Sequence, residues 1–267
     1  MAAEPDERVL LIVGGGRIGE ALLGGLLAGG RAADQLAVAE VSRARREELA
    51  SAYPDVDIVE APVPAAGAVL AVKPGDVADA ARAVADAGAR RLLSVAAGVT
   101  TRAIEDAAGR TLAVVRAMPN TPALVRAGAA AISRGSSAGE DDMAWAEEVL
   151  GAVGVVVRVP EKALDAVTGL SGSGPAYVFL VAEALTDAGV LAGLPRDVAE
   201  TLAFQTLLGA AQLLVEGGDG AATLRAAVTS PGGTTAAGLR ELERHGVRAA
   251  FLDAVMAATD RSRELGA

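Results

Sequence analysis

The chain has 267 residues, room for a cofactor-sized domain of about 150 residues and a smaller partner. Its hydrophobic share is 52% while aromatic residues supply only 2%, so the core has to be built from Ala, Val and Leu. A formal net charge of −10 without a Lys/Arg run argues against a nucleic-acid partner, and the absence of cysteine excludes disulfides, thiolate nucleophiles and thiolate metal sites.

The segment from Met1 to Arg8 carries acidic residues where a signal peptide would show a basic start and an apolar stretch. No window offers about 18 apolar residues free of charge or helix breakers, so no membrane partner and a cytoplasmic location are expected. The one histidine, His245, reads as a solvated residue near a helix end before Gly246; a site with two or three histidines is impossible and no metal is expected.

Val9 to Val13 predicts a strand that stops at Gly14-Gly15-Gly16, and Ile18 to Ala28 predicts a helix. Leu36 to Ala39 predicts a second strand ending at Glu40, with a charged helix from Arg43 to about Ala52. Further strands are expected at Val69–Val72, Leu92–Val95 and Leu112–Val115, separated by helices at Val77–Ala87 and Thr101–Ala108. Alternating short strands and helices imply an α/β fold with a parallel, doubly wound sheet. Ala129–Ser133 and Val153–Val159, flanking a helix at Gly139–Leu150, would extend one edge.

After Pro160 only helical periodicity remains, interrupted at Ser171–Pro175, Gly193–Pro195, Gly217–Gly220 and Ser230–Gly233. Two domains are therefore expected, a dinucleotide-binding domain over residues 1–160 and an all-helical one over 161–267. Helices at Tyr177–Leu191 and Asp197–Glu216 are apolar over much of their circumference, the pattern of helices that pack against a partner subunit.

Gly14-Gly15-Gly16-Arg17-Ile18-Gly19 fits GxGxxG in the right setting, after a strand and opening a helix. Gly14 permits the tight turn, Gly16 leaves room for a pyrophosphate against backbone N–H groups, and Gly19 lets helix and strand approach. Glu40, about twenty residues on, is placed to accept from a ribose 2′-hydroxyl, which favours NAD; Arg43, Arg45 and Arg46 offer guanidinia for a 2′-phosphate, or simply a solvated basic face. Lys73-Pro74, Ala96-Ala97-Gly98 and Met118-Pro119-Asn120-Thr121-Pro122 follow strands and could reach the same crevice, with small Ala96 and Ala97 beside a flat ring. Ser230-Pro231-Gly232-Gly233-Thr234-Thr235 reads as an N-cap Ser, an N1 Pro and free amides suited to a carboxylate. Ser171-Gly172-Ser173-Gly174-Pro175 opens another helix similarly, or serves close packing. No Ser/His/Asp set or P-loop is present, so a cofactor must carry the chemistry.

Together with Ala71-Val72-Lys73-Pro74 and Ser171 through Tyr177, these motifs resemble the pyrroline-5-carboxylate reductase family from about Val9 to Glu264. The resemblance implies a Rossmann-type N-terminal domain and a helical C-terminal domain that forms a homodimer, with higher assembly such as a decamer. It also implies the last step of proline biosynthesis, hydride transfer to C5 of 1-pyrroline-5-carboxylate giving L-proline, acting on a CH–NH group. NADP(H) ranks ahead of NAD(H) by the same resemblance, with Ser42 and Arg43 as contacts for the 2′-phosphate. Gly14, Gly16, Arg17, Ile18, Gly19, Glu40, Val72, Lys73, Pro74, Ala96, Ala97 and Asn120 complete the expected cofactor contacts. The substrate carboxylate would lie at Gly232, Gly233, Thr234 and Thr235, with the Thr235 hydroxyl as the catalytic group near the ring nitrogen and Glu161 and Thr168 lining the pocket. The chain departs from the pattern at Glu40-Val41-Ser42, where Ser or Thr is frequent, and at Ala226-Ala227, where polar residues are. A β-hydroxyacid-type dehydrogenase would need a lysine that Tyr177–Leu191 lacks, and a non-catalytic nucleotide sensor on the same fold is the rival of another class.

Overall fold

The computed structural model describes residues 10–109 and 111–266. Val9, at the start of the expected first strand, and the segment from Met1 to Arg8 lie outside the described residues. The chain divides into two compact units, one running to Ser173 and taking in Ala257 onward, the other Gly174–Met256.

The strands of the first unit are β1 (Leu10–Val13), β2 (Leu36–Ala39), β3 (Asp57–Val59), β4 (Gly67–Leu70), β5 (Arg91–Ser94), β6 (Ala113–Met118), β7 (Gly128–Arg134) and β8 (Gly154–Arg158). Between them run α1 (Arg17–Ala28), α2 (Arg43–Ala52), α3 (Val77–Asp86), α4 (Thr101–Ala108) and α5 (Glu140–Gly151), and after β8 the short α6 (Leu164–Val167). The strands form one sheet in the order β3-β2-β1-β4-β5-β6-β7-β8. Its first six strands have the Rossmann order, which reverses between β1 and β4 and opens a crevice at their carboxyl ends.

Both faces of the sheet are covered at its central strands, which is why those strands are nearly continuous apolar runs. Leu10 and Ile12 pack with Leu22, Trp145 and Val149 on one side. Leu11 and Val13 pack with Val77, Val84 and Ile104 on the other. Each such aliphatic side chain taken fully out of water contributes about 1.5–3 kcal/mol.

Three expectations about the sheet are corrected. The strand expected at Val69–Val72 ends at Leu70, so Val72 lies in the loop beyond it. The sheet is not parallel throughout: β7 runs antiparallel to β6, and β8 is parallel to β7. The link from Met118 to Gly128 holds only a 3-10 turn, Thr121–Val125, too short for the crossover of about a dozen residues that a parallel pair needs. Strand β3, beside β2 at the sheet edge, was not expected from its sequence.

The helical pattern does begin after Pro160, but the compact units part at Ser173 because the turn at Glu161 and α6 pack on β7. The expected break at Ser171–Pro175 is a π-helical turn, Thr168–Gly172, in which the Ser173 N–H donates to the Thr168 carbonyl at 2.8 Å. Such bulges insert one residue into a helix and often mark functional positions.

The second unit contains α7 (Gly174–Leu191), α8 (Arg196–Glu216), α9 (Ala221–Ala227), α10 (Thr234–Arg244) and the start of α11 (Val247–Leu265). Helices α7 and α8 approach closely where Gly189 faces Ala199; a Cβ on the glycine would lie 2.9 Å from the alanine Cβ. Phe179, Leu180, Phe204, Leu208 and Leu213 remain exposed on them. By length and composition the stretches Glu161–Leu191 and Arg196–Glu216 are apolar enough to cross a membrane. Glu183, Asp187 and Glu200 interrupt them, so the stricter expectation of no charge-free window stands.

Candidate functional site

The turn after β1 sits at the point where the strand order reverses. Gly14 has φ +99°, and a Cβ there would lie 2.5 Å from the Ala71 carbonyl oxygen at the end of β4. A Cβ at Gly19 would fall 2.0 Å from the Gly14 oxygen, so only glycine lets α1 begin this close to the strand. Around Gly16 nothing lies within 4 Å of a Cβ position. Gly16 is also the N-cap of α1 and provides no side-chain acceptor, leaving the first helical N–H groups open. Open amides, the positive end of a helix dipole and free space beside them fit a pyrophosphate, so these residues fit a bound dinucleotide.

The middle of this turn is held from both sides. The Gly15 N–H donates to Glu40 Oε2 at 2.8 Å, and the Gly15 carbonyl accepts from Arg45 Nε at 2.8 Å. A Cβ on Gly15 would meet Leu49 Cδ1 at 2.4 Å. Arg45 also pairs with Glu48 at 2.8 Å and with Glu20, which together raise its pKa above the ordinary guanidinium value. None of Arg45, Leu49 and Glu20 stood out in the sequence for this role, since the contacts join residues far apart in the chain.

At the end of β2 the other Glu40 oxygen, Oε1, accepts from the Ser42 N–H at 2.8 Å. The Ser42 hydroxyl caps α2, accepting from Arg45 N at 3.4 Å. Arg46 donates to the carbonyls of Glu40 and Val41 at 2.8 and 2.9 Å and reaches Glu60. Arg43 stands outward, 85% exposed, beside Glu47 at 2.9 Å. Of the three guanidinia expected near a 2′-phosphate, two are therefore turned into the protein.

Val72, Lys73 and Pro74 follow β4, with Lys73 exposed at the start of a 3-10 turn. Ala96 is buried and Ala97 exposed in the loop after β5, where Gly98 has φ +77°. Asn120 follows β6 and braces the π-helical turn and β7: its Nδ2 donates to the Ser171 carbonyl at 3.0 Å and its Oδ1 accepts from Ala129 N at 2.8 Å. A Cβ on Gly172 would lie 2.6 Å from Met118 Cε, which gives that glycine the close-packing role. The Ser171–Pro175 segment does open a helix, α7 at Gly174, out of the π-helical turn.

Glu161 and Thr168 are both in the first unit. The Glu161 carboxylate accepts from the Thr101 N–H at 2.7 Å, the Thr101 hydroxyl at 2.8 Å and Arg116 at 3.1 Å. Burial alone would raise its pKa, but these partners outweigh it and hold the carboxyl below the usual carboxylate range. Arg116 is nearly buried and its charge interrupts the otherwise apolar run of β6, a signal that a sequence reading could have used. Thr168 donates its hydroxyl to the Leu164 carbonyl at 2.9 Å.

In the second unit the Ser230–Thr235 segment needs correction. Ser230 is not the N-cap and Pro231 is not the first helical residue; Gly233 caps α10, which starts at Thr234. The Gly233 N–H closes a turn onto the Ser230 carbonyl at 3.1 Å, and Gly232 has φ +67°. Proline followed by a positive-φ glycine is the type II β-turn pattern, and that glycine cannot continue a helix. The cap carries no side-chain hydrogen bond, so the amides of Thr234 and Thr235 start the helix without an internal acceptor. His245 is exposed at the C-cap of the same helix. Among the described residues no group of acidic or histidine side chains could hold a metal.

Comparison with known proteins places these elements. Residues 161–265 match a family model described as pyrroline-5-carboxylate reductase dimerisation. Residues 8–98 match one described as NADP oxidoreductase coenzyme F420-dependent. The chain is 47% identical over 261 residues to a pyrroline-5-carboxylate reductase of Synechocystis, covering 96% of this chain and 97% of that one. Identity to the Mycobacterium tuberculosis protein of the same name is 46%, covering 96% of each. Among solved structures, a pyrroline-5-carboxylate reductase from Coxiella burnetii superposes with a TM-score of 0.92 at 35% identity, covering 98% of this chain and 100% of that one. A pyrroline carboxylate reductase from Plasmodium falciparum with NADP bound gives 0.84 at 26% identity, covering 99% of this chain and 100% of that one.

Proposed function

The chain belongs to the pyrroline-5-carboxylate reductase family and is an oxidoreductase of that type, and from this premise we propose how its own residues reduce 1-pyrroline-5-carboxylate to L-proline. The observation that carries the reading is the glycine turn at Gly14–Gly19, an uncapped helix start with open space at Gly16. Bound there, a reduced nicotinamide dinucleotide would supply the hydride that reduces C5 of the cyclic iminium.

Amides at Gly16, Arg17, Ile18 and Gly19 take the pyrophosphate. Val72, Lys73, Pro74, Ala96, Ala97 and Asn120, at the ends of β4, β5 and β6, line the crevice for the rest of the cofactor. Asn120 keeps one amide hydrogen beyond its two braces. For NADP(H), the choice implied by the resemblance, Ser42 and Arg43 are the residues beside the 2′-phosphate; for NAD(H), Glu40 faces the hydroxyl.

Thr234 and Thr235, following Gly232 and Gly233, offer backbone amides to the substrate carboxylate. The Thr235 hydroxyl hydrogen-bonds the ring nitrogen. An iminium is already electrophilic, so no strong enzymic acid is needed and the rate comes from proximity and orientation. Glu161 and Thr168 shape the pocket wall through the contacts they make to Thr101, Arg116 and Leu164. The helical part is the family's dimerisation domain, and the exposed apolar side chains of α7 and α8 suit a second copy. A higher assembly such as a decamer and a cytoplasmic location complete the proposal.

The test follows reduced-nicotinamide absorbance with purified protein and 1-pyrroline-5-carboxylate. Oxidation that depends on the imine, with proline as product, supports the reading; its absence with both NADPH and NADH rejects it.

A further inference from the structure

We propose that Glu40 makes this chain a reader of the ribose 2′-hydroxyl, so that it holds NAD(H) more tightly than NADP(H). The proposal rests on the dinucleotide reading above and goes against the cofactor order that the family resemblance implies. Three observations carry it.

First, the carboxylate is fixed. Its two oxygens accept from the amides of Gly15 and Ser42, both at 2.8 Å, so it is anchored between the phosphate turn and the start of α2. Swinging it aside to admit a phosphate would break both bonds and release Gly15. Each carboxylate oxygen has a further lone pair, enough to accept from a sugar hydroxyl. A phosphate dianion has no hydrogen to donate and would meet an ionised carboxylate instead.

Second, the cations that could offset this repulsion are committed. Arg45 spends its guanidinium on the Gly15 carbonyl, Glu20 and Glu48. Arg46 spends its own on the carbonyls of Glu40 and Val41 and on Glu60. Drawing either away would unpin the turn or the end of β2.

Third, Arg43 is the outward-facing arginine of α2 at this edge and already has Glu47 beside it. Glu20, Glu47, Glu48 and Glu60 are the ion-pair partners of the three arginines of α2, so none of these arginines is left over to offset the Glu40 carboxylate. The arrangement suits a neutral diol and disfavours added negative charge.

The experiment is calorimetric titration of the purified oligomer with NADH and with NADPH, separately, at one moderate salt concentration, with kcat/KM ratios measured in parallel. NADH is expected to bind at least tenfold more tightly than NADPH. In Glu40→Gln, which keeps an acceptor for one amide but removes the charge, the preference should shrink at least tenfold, chiefly by tighter NADPH binding. A purely structural role for Glu40 would weaken both cofactors alike and leave the ratio unmoved, which overturns the proposal. Equal or tighter wild-type binding of NADPH also overturns it, and loss of that affinity in Arg43→Ala would assign the 2′-phosphate to Arg43. If neither nucleotide binds, the proposal falls together with the dinucleotide reading itself; NADPH binding as tightly as NADH or more so, with turnover, sinks the proposal alone.

Discussion

Substituting Glu161 with glutamine should destabilise the first unit rather than simply weaken substrate binding. The Arg116 side chain is 9% exposed and the Glu161 side chain 31%, so the pair is screened on one side only. Removing one partner of a buried ion pair leaves an uncompensated charge. Two hydrogen bonds from Thr101 are weakened as well. Allowing for the partial exposure, the loss is about 2–3 kcal/mol. For a unit of this size that lowers Tm by roughly 4–12 °C. The effect has a definite pH signature. The folded carboxyl titrates below its unfolded value of about 4.3, so its contribution is fully present above that pH and is lost as pH falls through the lower, folded value. Thermal unfolding of wild type and Glu161→Gln across acidic pH should therefore show a gap that is constant near neutrality and closes below about pH 4. Replacing both partners, Glu161→Gln with Arg116→Met, should recover most of the loss. An unchanged Tm at neutral pH, with a raised KM for the imino acid, would refute the clamp and leave Glu161 with a substrate role alone.

The remaining predictions concern the turn, the substrate end and the oligomer. Gly19→Ala puts a Cβ at 2.0 Å from the Gly14 oxygen, and because that neighbour is backbone the turn itself must shift; cofactor Kd should rise more than tenfold by calorimetry, and an unaffected Kd would show the turn is not the pyrophosphate site. Thr235→Ala should lower kcat/KM about tenfold, the loss of one hydrogen bond of ~1.4 kcal/mol to the reacting ring, with Tm unchanged; full activity would remove the hydroxyl from the mechanism. Leu208 is 53% exposed in the single chain and Leu213 60%, so changing both to Glu should leave the fold intact while sedimentation shifts towards monomer. A double variant that stays oligomeric would place the interface elsewhere.

How much of this was legible in the sequence depended on the range of the interaction. The glycine turn could be read because its three glycines lie within six residues of one another between a strand and a helix, and Gly19 is required by its approach to Gly14 itself. The clamp on Gly15 could not: Glu40, Arg45 and Leu49 reach it only after β2 and α2 have folded beside β1, and glutamate and arginine on a polar helix look like any solvated face. Strand β3 was missed because it has only three residues, begins with Asp57 and pairs on one side alone, so neither apolar content nor alternation marks it. The reversal of β7 was hidden because β6 was expected to end at Val115, and the chain from there to Ala129 is long enough for a crossover; the run of β6 on to Met118 is what shortens the link.

The Ser-Pro-Gly-Gly segment shows a subtler limit. Serine followed by proline satisfies the rules for a helix start, and proline followed by glycine satisfies those for a type II turn. The two readings differ in which residue bears the positive φ, and Gly232 decides it. The consequence is functional. With the helix beginning at Thr234 and capped by a glycine that has no side-chain acceptor, the amides of Thr234 and Thr235 are the first of the helix, the place the first reading gave to Pro231 and Gly232. A carboxylate docking there replaces no existing bond, and the tight turn before it fixes where those amides point.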